Sequence, residues 1–398
     1  MTAGDPEMDL LRWVREHAPV LASIRAEDGE RVPLNGRTVA VSAPLTPHTG
    51  VFVETLRTAG ADVVCCGEAN TDHAAVVESL AKQNGITVFG EPGMDAEAYG
   101  PARDRLLARE PDYVCDDGAA LLSRAHERHP RIAAGIRGAA EQTTSGVTRV
   151  RALDGDGELR CPVYDVNGAS TKRLLDNRHG TAESTIAALS AVTERTLAGS
   201  VVVVAGYGPC GRGLAGKLRG IGARVLVTEV DPRRALAAHA AGHRVCPMSE
   251  AAAVGDVFLT ATGNRNVLRA EHVTAMSDNS VLASAGTEDE IDVRGIAAAA
   301  TDTTEFDGGI RYRFPDGRAV SVLAGGHPLN LAAPRASGNA AGVMDATFAL
   351  LYAAIRDLHE RAPDPGLRPL PARLDAEVAE RKLDAAGVAS DALRDAEN

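Results

Sequence analysis

The stretch Ser200–Glu229, SVVVVAGYGPCGRGLAGKLRGIGARVLVTE, decides the fold of this 398-residue chain. It opens with the β-branched run Val201–Val204, which predicts a buried parallel strand. Three glycines in G-x-G-x-x-G spacing follow that strand, namely Gly206, Gly208 and Gly211. A helical pattern comes next, and a second strand over Arg224–Thr228 leads to Glu229. This order predicts a dinucleotide-binding unit, because the glycines let the backbone approach a pyrophosphate and the acid can accept hydrogen bonds from the adenosine ribose.

Composition narrows the class of protein. The length predicts two domains, and a net charge of -12 with only 3% aromatic residues argues against a nucleic-acid surface. No apolar run reaches the length of a membrane span, and the N-terminus lacks the basic and apolar segments of a signal sequence. The six cysteines show no metal-ligand spacing. We therefore expect a cytoplasmic protein with reduced thiols, no metal ion and no membrane contact.

Strands alternate with helices through the first part of the chain. A helix is predicted over residues 8–25, with an apolar side formed by Leu10, Leu11, Trp13, Val14, Val20 and Leu21. Four strands are predicted after it, at Thr38–Ser42, Ala61–Cys65, Ile86–Phe89 and Tyr113–Cys115. The βα order implies a parallel sheet, so the loops Ala43–Thr49, Cys66–His73 and Asp116–Gly118 converge at its carboxyl edge. Residues 137–180 show a looser pattern and are predicted to form long functional loops.

The rest of the chain is predicted to form a second sheet and then to return to the first domain. Later strands are predicted at Asp256–Thr260, Ser280–Ala285 and Ala319–Ala324, followed by a helix over Gly342–Glu360. The fold class is α/β, with two doubly wound parallel-sheet domains joined by a hinge. The predicted divisions are a substrate domain at 1–180, a dinucleotide-binding domain at 181–334, and C-terminal helices at 335–398 that pack back on the first domain. A ligand is expected in the cleft between the domains.

Several motifs give the chain a family resemblance that covers nearly its whole length. They are VVAGYGPCGRG, TDHAAVVESLAKQNGITVFG, DDGAALL, GIRGAAEQTTSGV, VNGASTKRLLDN and LPARLDAEVAERKL. Together they resemble the S-adenosylhomocysteine hydrolase family. The resemblance implies a bound NAD that oxidises the ribose 3′-hydroxyl, which acidifies the C4′ proton. The 5′-thiolate is then eliminated, water adds to the enone, and the ketone is reduced again.

The resemblance also implies roles for particular residues. Lys172 and Asp176 match the pair at the 3′-hydroxyl, with the aspartate orienting the lysine as base, and Asp117 matches the acid/base near C4′. Outside the motif, Lys172 and Asp176 would be interpreted as a surface ion pair and Asp117 as part of a turn. The matching cofactor residues, besides the glycines and Glu229, are Thr143, Thr144, Ser145, Asn177, Thr262 and Asn330. The residues at substrate-binding positions are Thr46, His48, Gln142, Asn167 and Asn339.

Departures from the family cluster on the substrate side and indicate a divergent member. Where the family has His, Thr and Glu in the loop before the first-domain helix, this chain has Pro44, Thr46 and His48, and Gln142 replaces an acid. Thr181 replaces a cysteine, Ala285–Glu288 replaces a motif that contains a histidine, and Gly338–Ala340 replaces the motif GHP. His48 and His327 are either replacement proton carriers or ordinary loop histidines.

Two departures concern the cofactor. Arg233 and Arg234 follow Glu229, but the acid would repel a 2′-phosphate, so NAD remains the predicted cofactor. The sequence ends at residues 395–398, DAEN, without the basic, tyrosine-containing tail that in the family reaches a neighbouring subunit's NAD. This predicts more readily exchanged NAD and a homo-oligomer that is a dimer or a tetramer.

The predicted function is oxidation of S-adenosylhomocysteine or a related adenosine nucleoside at C3′, leading to 5′ elimination and hydrolysis. Two alternatives stay open. One is a nucleoside 3′-oxidoreductase, eliminase or epimerase of specialised metabolism with an altered substrate. The other is a catalytically silent NAD-binding homologue that regulates a true hydrolase.

Overall fold

Two βα-layered units make up the structure, a computed structural model that describes residues 6–91 and 93–389. The first unit comprises the described residues up to Arg173 together with those from Ala341 onward. The second unit comprises Leu174–Ala340. The chain end at residues 395–398, on which the oligomer prediction depends, lies outside the described residues.

Strands are short in both units. The described residues contain β1 (Thr38–Ser42), β2 (Asp62–Cys66), β3 (Ile86–Phe89), β4 (Tyr113–Asp116), β5 (Gly138–Glu141), β6 (Pro162–Asp165), β7 (Val201–Ala205), β8 (Arg224–Thr228), β9 (Arg244–Val245), β10 (Val257–Thr260), β11 (Ser280–Ser284), β12 (Asp302–Phe306), β13 (Gly309–Arg313), β14 (Ala319–Leu323) and β15 (Gly366–Pro369).

Helices connect and cover these strands. In the first unit they are Pro6–Glu16, Pro19–Arg31, Pro47–Thr58, Ala74–Ala81, Tyr99–Leu107, Ala120–Arg128, Pro130–Gly135, Thr144–Gly155, Ser170–Lys172, Ala341–Arg361 and Ala372–Ala385, with a 3₁₀ turn at Ala96–Ala98. In the second they are Thr181–Thr193, Pro209–Gly220, Pro232–Ala240, Met248–Ala252, Ala270–Val273, Val293–Ala299 and Leu329–Ala332, with a 3₁₀ turn at Ala324–Gly326. A π-helical segment, Arg173–Gly180, follows Lys172 directly.

The sheet of the first unit is wholly parallel, in the order β15-β6-β5-β4-β1-β2-β3. Its register sets the last residues of five strands level with one another, namely Ser42, Cys66, Asp116, Glu141 and Asp165. The loops that follow these strands therefore meet at one side of the sheet, as parallel topology requires. We call this side, formed by Ala43–Thr49, Gly67–His73, Asp117–Ala119, Gln142–Thr144 and Val166–Ala169, the strand-end edge.

The second sheet has the order β12-β13-β14-β11-β10-β7-β8-β9. The six strands β14, β11, β10, β7, β8 and β9 are parallel to one another. Strands β12, β13 and β14 pair antiparallel and extend the sheet at one edge. Strand β7 lies between β10 and β8, and Val202, Val203 and Val204 are fully buried. The α/β class with two parallel-dominated sheets is confirmed.

Two predictions of local structure are wrong. The helix over 8–25 is two helices, because Pro19 starts the second one and the residue before a proline avoids helical angles, as Ala18 does at φ -117° and ψ 66°. Trp13 is 56% exposed and so is not part of the buried side. The loops expected over 137–180 are two further βα units that contain β5 and β6. Their strands have four residues each, and β5 is built from Gly, Ala and Glu, so the β-branched pattern is absent.

Membrane-spanning helices and metal-ligand clusters are both absent from the part of the chain that the structure describes. Within residues 6–91 and 93–389, no helix combines the length and the apolar character that crossing a membrane requires. Among the same residues, no group of three or more His, Cys, Asp or Glu is arranged to hold a metal ion.

Candidate active site

The glycine turn of the second unit leaves a space beside one of its three glycines. A Cβ on Gly206, which has φ 94°, would lie 2.7 Å from the Ala261 carbonyl, and one on Gly211 would lie 2.0 Å from the Gly206 carbonyl. These two glycines are therefore required by the protein's own packing. At Gly208 a Cβ would meet only the tip of Arg234, at 3.8 Å. The free space at Gly208 lies at the start of the helix Pro209–Gly220, where backbone N–H groups favour a phosphate.

Glu229 is held beside the same turn. One carboxylate oxygen accepts from the backbone N–H of Tyr207 at 2.8 Å, and the other accepts from Val230 and Asp231 at 2.7 and 2.9 Å. The oxygen that accepts from Tyr207 has a second lone pair, so the group can still accept from a ribose hydroxyl. Arg233 bonds Asp231 and is 90% exposed.

A buried acid that the sequence analysis missed organises the loop after β10. Glu290 is fully buried and accepts from the backbone N–H groups of Thr262 and Gly263 at 2.9 and 2.8 Å. The Thr262 hydroxyl also donates to it, at 2.8 Å. Burial raises the pKa of Glu290. Thr262 is thus placed by Glu290, leaving its predicted contact with the cofactor as a prediction.

A network of buried amides surrounds Asp176. The Asn339 amide nitrogen donates to Asp176 at 2.8 Å, and the Asn339 carbonyl oxygen accepts from the Ser184 hydroxyl at 2.9 Å. Asn330 donates to Ser184 at 3.0 Å. Asn339, predicted at the substrate, and Asn330, predicted at the cofactor, therefore belong to one network that orients Asp176. Nearby, the Asn177 carbonyl oxygen is buried without a hydrogen-bond partner.

On the strand-end edge of the first unit, two carboxylates have structural roles. Asp116 accepts from the backbone N–H groups of Leu121 and Leu122 at 3.0 and 2.8 Å, which fixes the start of the helix Ala120–Arg128. Glu141 is fully buried and accepts from Ala119 N–H at 2.8 Å and Thr143 N–H at 2.7 Å. Burial raises the pKa of Asp116 to about 6, and burial together with Asp116 raises that of Glu141 well above its usual range.

A further carboxylate at this edge, Asp117, is held by a side-chain amide. The Gln142 amide nitrogen donates to the Asp117 carboxylate at 2.8 Å. Gln142 is 7% exposed, and its amide oxygen is buried with no partner. The Asn167 amide oxygen is likewise buried with no partner, while the Asn167 amide nitrogen donates to the Thr144 hydroxyl at 3.1 Å. Buried acceptors without donors are costly, so these two oxygens suit the hydroxyl donors of a sugar.

The hydroxyl run at 143–145 is partly structural. Thr143 caps the helix Thr144–Gly155 by accepting from Gly146 N–H at 3.0 Å, and it donates to Glu141 at 2.7 Å. The Ser145 hydroxyl lies 3.4 Å from that of Thr143. The predicted contact of these three residues with the nicotinamide stays a prediction.

The loop after β1 supplies the next pair of predicted residues. Thr46 caps the helix Pro47–Thr58 by accepting from Thr49 N–H. His48, in the first turn of that helix, is 4% exposed. Both therefore lie at the strand-end edge, where the sequence analysis expects the nucleoside pocket.

Lys172 is buried at the end of the loop after β6. Lys172 ends the short helix Ser170–Lys172. The start of that helix is fixed by Asp375, which accepts from the backbone N–H groups of Ser170 and Thr171 at 2.7 and 3.0 Å. Lys172 is 6% exposed, and Asp176, four residues later in the π-helical segment, is 5% exposed. Both side chains are therefore buried, and the surface position that spacing alone would suggest is wrong. π-Helical turns are rare and are frequent at functional sites.

The structure adds Glu68, which the sequence analysis did not select. It lies in the loop after β2, with its carboxylate 3.6 Å from the Arg103 guanidinium and its side chain 39% exposed. Although part of the side chain is exposed, the protein atoms around its carboxylate disfavour the charged form, and this effect, followed by the nearby Asp117, raises the pKa of Glu68 to about 8. The signal available in the sequence was its place in the predicted functional loop 66–73.

The chain matches two models of one family. The model of the S-adenosyl-L-homocysteine hydrolase matches residues 3–127, and that of the family's NAD-binding domain matches residues 177–336. An S-inosyl-L-homocysteine hydrolase of Methanopyrus kandleri is 42% identical over 385 residues, which is 96% of this chain and 90% of the relative. The chain belongs to the S-adenosyl-L-homocysteine hydrolase family.

Other members of the S-adenosyl-L-homocysteine hydrolase family are equally similar to the chain. An adenosylhomocysteinase of Halobacterium salinarum is 44% identical over 96% of this chain and 91% of the relative. One from Aquifex aeolicus is 39% identical over 99% of this chain and 95% of the relative. The chain is therefore an enzyme of this family. Since these relatives are named for both adenosyl and inosyl substrates, membership does not fix the base.

The family's cofactor is NAD, and the second unit fits it. The open space at Gly208, the helix start behind it and the acid at Glu229 have the chemistry that a pyrophosphate and a ribose require. The predicted cofactor is thus confirmed at the level of the family.

Replacing Gly208 by alanine is expected to weaken NAD binding at least about tenfold without unfolding the protein, because the methyl group occupies the pyrophosphate's space and costs more than about 1.4 kcal/mol. Gly208 has φ -72°, so alanine is compatible with its backbone. NAD titration by calorimetry and thermal unfolding of the apoprotein measure the two effects. Gly216→Ala, where a Cβ meets nothing within 4 Å, is the control. Equal NAD affinity of Gly208→Ala and wild type would contradict the assignment.

Proposed function

We propose that the protein is an NAD-dependent enzyme that oxidises the ribose 3′-hydroxyl of S-adenosylhomocysteine or a related nucleoside thioether. Oxidation allows removal of the C4′ proton and elimination at C5′, and water addition then completes hydrolysis. The protein is further proposed to act on a small-molecule nucleoside in the cytoplasm as a homo-oligomer, a dimer or a tetramer.

One observation carries this proposal. The strand-end edge of the first unit bears a carboxylate, Asp117, and the loop after β6 at the same edge leads to Lys172, which is 6% exposed. Lysine is seldom so buried, because its ammonium form needs water or partners. A buried amine with a carboxylate at one sheet edge supplies two proton carriers, which is what successive proton transfers from O3′ and C4′ require.

The chain's own residues are assigned as follows. Bound NAD supplies the acceptor for the hydride from C3′. Lys172 takes the proton of the 3′-hydroxyl, and Asp117, steadied by Gln142, takes the proton of C4′. The unpartnered amide oxygens of Gln142 and Asn167 accept from sugar hydroxyls. Asp176, held by Asn339, remains the proposed positioning residue for Lys172.

Turnover of defined nucleosides tests the proposal. Purified protein is incubated separately with S-adenosylhomocysteine and S-inosylhomocysteine, and the products are separated by chromatography. Release of homocysteine together with adenosine or inosine is expected from one of them. Accumulated NADH absorbance without thioether cleavage would instead favour the oxidoreductase alternative. No reaction with either compound would favour the silent homologue.

A further inference from the structure

Glu68 and Asp117 flank the end of one strand. Glu68 follows β2 by two residues and Asp117 follows β4 directly, and both strands pair with β1. The backbone N–H of Glu68 donates to the Asp72 carboxylate at 3.0 Å, and Leu45 N–H donates to the same oxygen at 2.8 Å. The loop that carries Glu68 is thus tied to the loop after β1.

Further contacts make this loop rigid. The Tyr99 hydroxyl donates to the second oxygen of Asp72 at 2.9 Å. A Cβ on Gly67 would lie 1.9 Å from the Asp72 carboxylate, so the glycine makes room for it. Arg103 donates to the Gly67 carbonyl at 3.4 Å. Glu68 is therefore presented in a fixed place, as a reacting group must be.

The charges around Glu68 contribute to a pKa that is higher than that of an ordinary surface carboxyl group. Asp72, on its own loop, and Asp116 and Asp117, at the end of β4, oppose its ionisation, while Arg103 favours it. Asp72 and Asp116 are occupied by backbone N–H groups, so they serve the fold. Asp117, the remaining carboxylate near Glu68, accepts a hydrogen bond from the Gln142 amide. The charge of Asp117 disfavours ionisation of Glu68, so Glu68 can hold a proton while Asp117 lacks one.

An independent observation indicates that a ligand enters beside this pair. Gln142 bonds Asp117 through its amide nitrogen, is 7% exposed, and has a buried oxygen without a donor. An acceptor in that state is satisfied by a donor brought in by a bound molecule. Asp117 therefore lies next to an acceptor that suits a hydroxyl-bearing substrate, and Glu68 lies in the loop two strands away at the same edge.

We propose that Glu68 is a further catalytic residue, the acid that protonates the departing sulfur while Asp117 removes the C4′ proton. This proposal rests on the function proposed above. In the 3′-ketone, the C4′–H electron pair forms the C4′–C5′ double bond, the C5′–S bond breaks, and sulfur takes its electron pair together with the proton of Glu68. In the second half, ionised Glu68 takes a proton from water as the hydroxide adds to C5′. Asp117 then returns its proton to C4′, so both carboxyl groups are restored.

The experiment compares two leaving groups in Glu68→Gln, which keeps shape and removes the acid. With a homocysteine thioether, turnover is expected to fall at least about 10²-fold, since a positioned acid contributes that much. With a 5′-(4-nitrophenylthio) nucleoside, whose thiolate leaves without a proton, little loss is expected. Wild-type turnover of the homocysteine compound should decline as pH rises above about 8, where Glu68 ionises, and the variant should lack this limb. Glu78→Gln, at a 72% exposed site, is the control.

Each outcome bears on the proposal. Retained oxidation at C3′, followed as NADH absorbance, with selective loss on the homocysteine compound supports an acid at Glu68. Equal losses with both leaving groups, or no loss with either, would overturn the role of Glu68 and leave the proposed function intact. Absence of wild-type turnover on both compounds would overturn the proposed function and this step together.

Discussion

Lys172→Met is expected to reduce turnover about 10³-fold while NAD binding is retained, because a proton acceptor for the 3′-hydroxyl is removed. Methionine fills a volume similar to that of the lysine stem, so the 6% exposed site loses charge but not packing. The defect should lie in the first step: single-turnover mixing with a nucleoside should show no rise in NADH absorbance. Residual oxidation at the wild-type rate would contradict the assignment.

One further variant tests whether Lys172 acts as a base or only as a positive charge, and a second variant is the control. Lys172→Arg keeps the charge, but a guanidinium does not release its proton in proteins, so it should be as inactive as the methionine variant. Recovery of activity in Lys172→Arg would show that charge alone suffices. Lys82→Met, at a side chain that is 76% exposed, should behave like wild type.

Asp117→Asn is expected to separate oxidation from elimination. The asparagine keeps the shape of the aspartate and can still accept the Gln142 hydrogen bond, which measures 2.8 Å in the structure. NADH absorbance should therefore appear when a nucleoside is added. Exchange of the C4′ hydrogen with deuterium oxide should slow by about 10²-fold or more, because the general base is lost.

Mass spectrometry of recovered nucleoside measures this exchange, and Asp156→Asn, at an exposed position, is the control. If Asp117→Asn exchanged deuterium at the wild-type rate, Asp117 would not be the C4′ base. If it lost NADH formation as well, the residue would be needed for oxidation or binding instead.

The sequence predicts those elements whose physics is local. Val201–Val204, the spaced glycines and Glu229 together determine the nucleotide turn, because each residue type is required by backbone geometry or charge within thirty neighbouring positions. The ends of β3 and β8 are predicted without error for the same reason. The broken N-terminal helix was visible in principle, since Pro19 is the residue that divides it.

Long-range pairing accounts for what was missed. Strand β5 has no β-branched residue and is a strand because β4 and β6 supply its hydrogen bonds from either side. The importance of Glu68 depends on Asp117, forty-nine positions away (117 − 68 = 49), and the network at Asp176 needs Asn339. Residue types carry no information about such partners until the chain is folded. The roles of Lys172, Asp176 and the cofactor-side hydroxyls remain predictions for the experiments above.

The first sheet draws its outer strand, β15, from Gly366–Pro369, and the helix Ala341–Arg361 packs against β4 and β5. During synthesis, all of Leu174–Ala340 is made before either piece. The nascent first unit therefore keeps an unpaired β6 edge and an uncovered apolar face until those two pieces have been translated. Chaperone protection should matter most in that interval, and premature termination there should produce an aggregating fragment in place of a shorter enzyme.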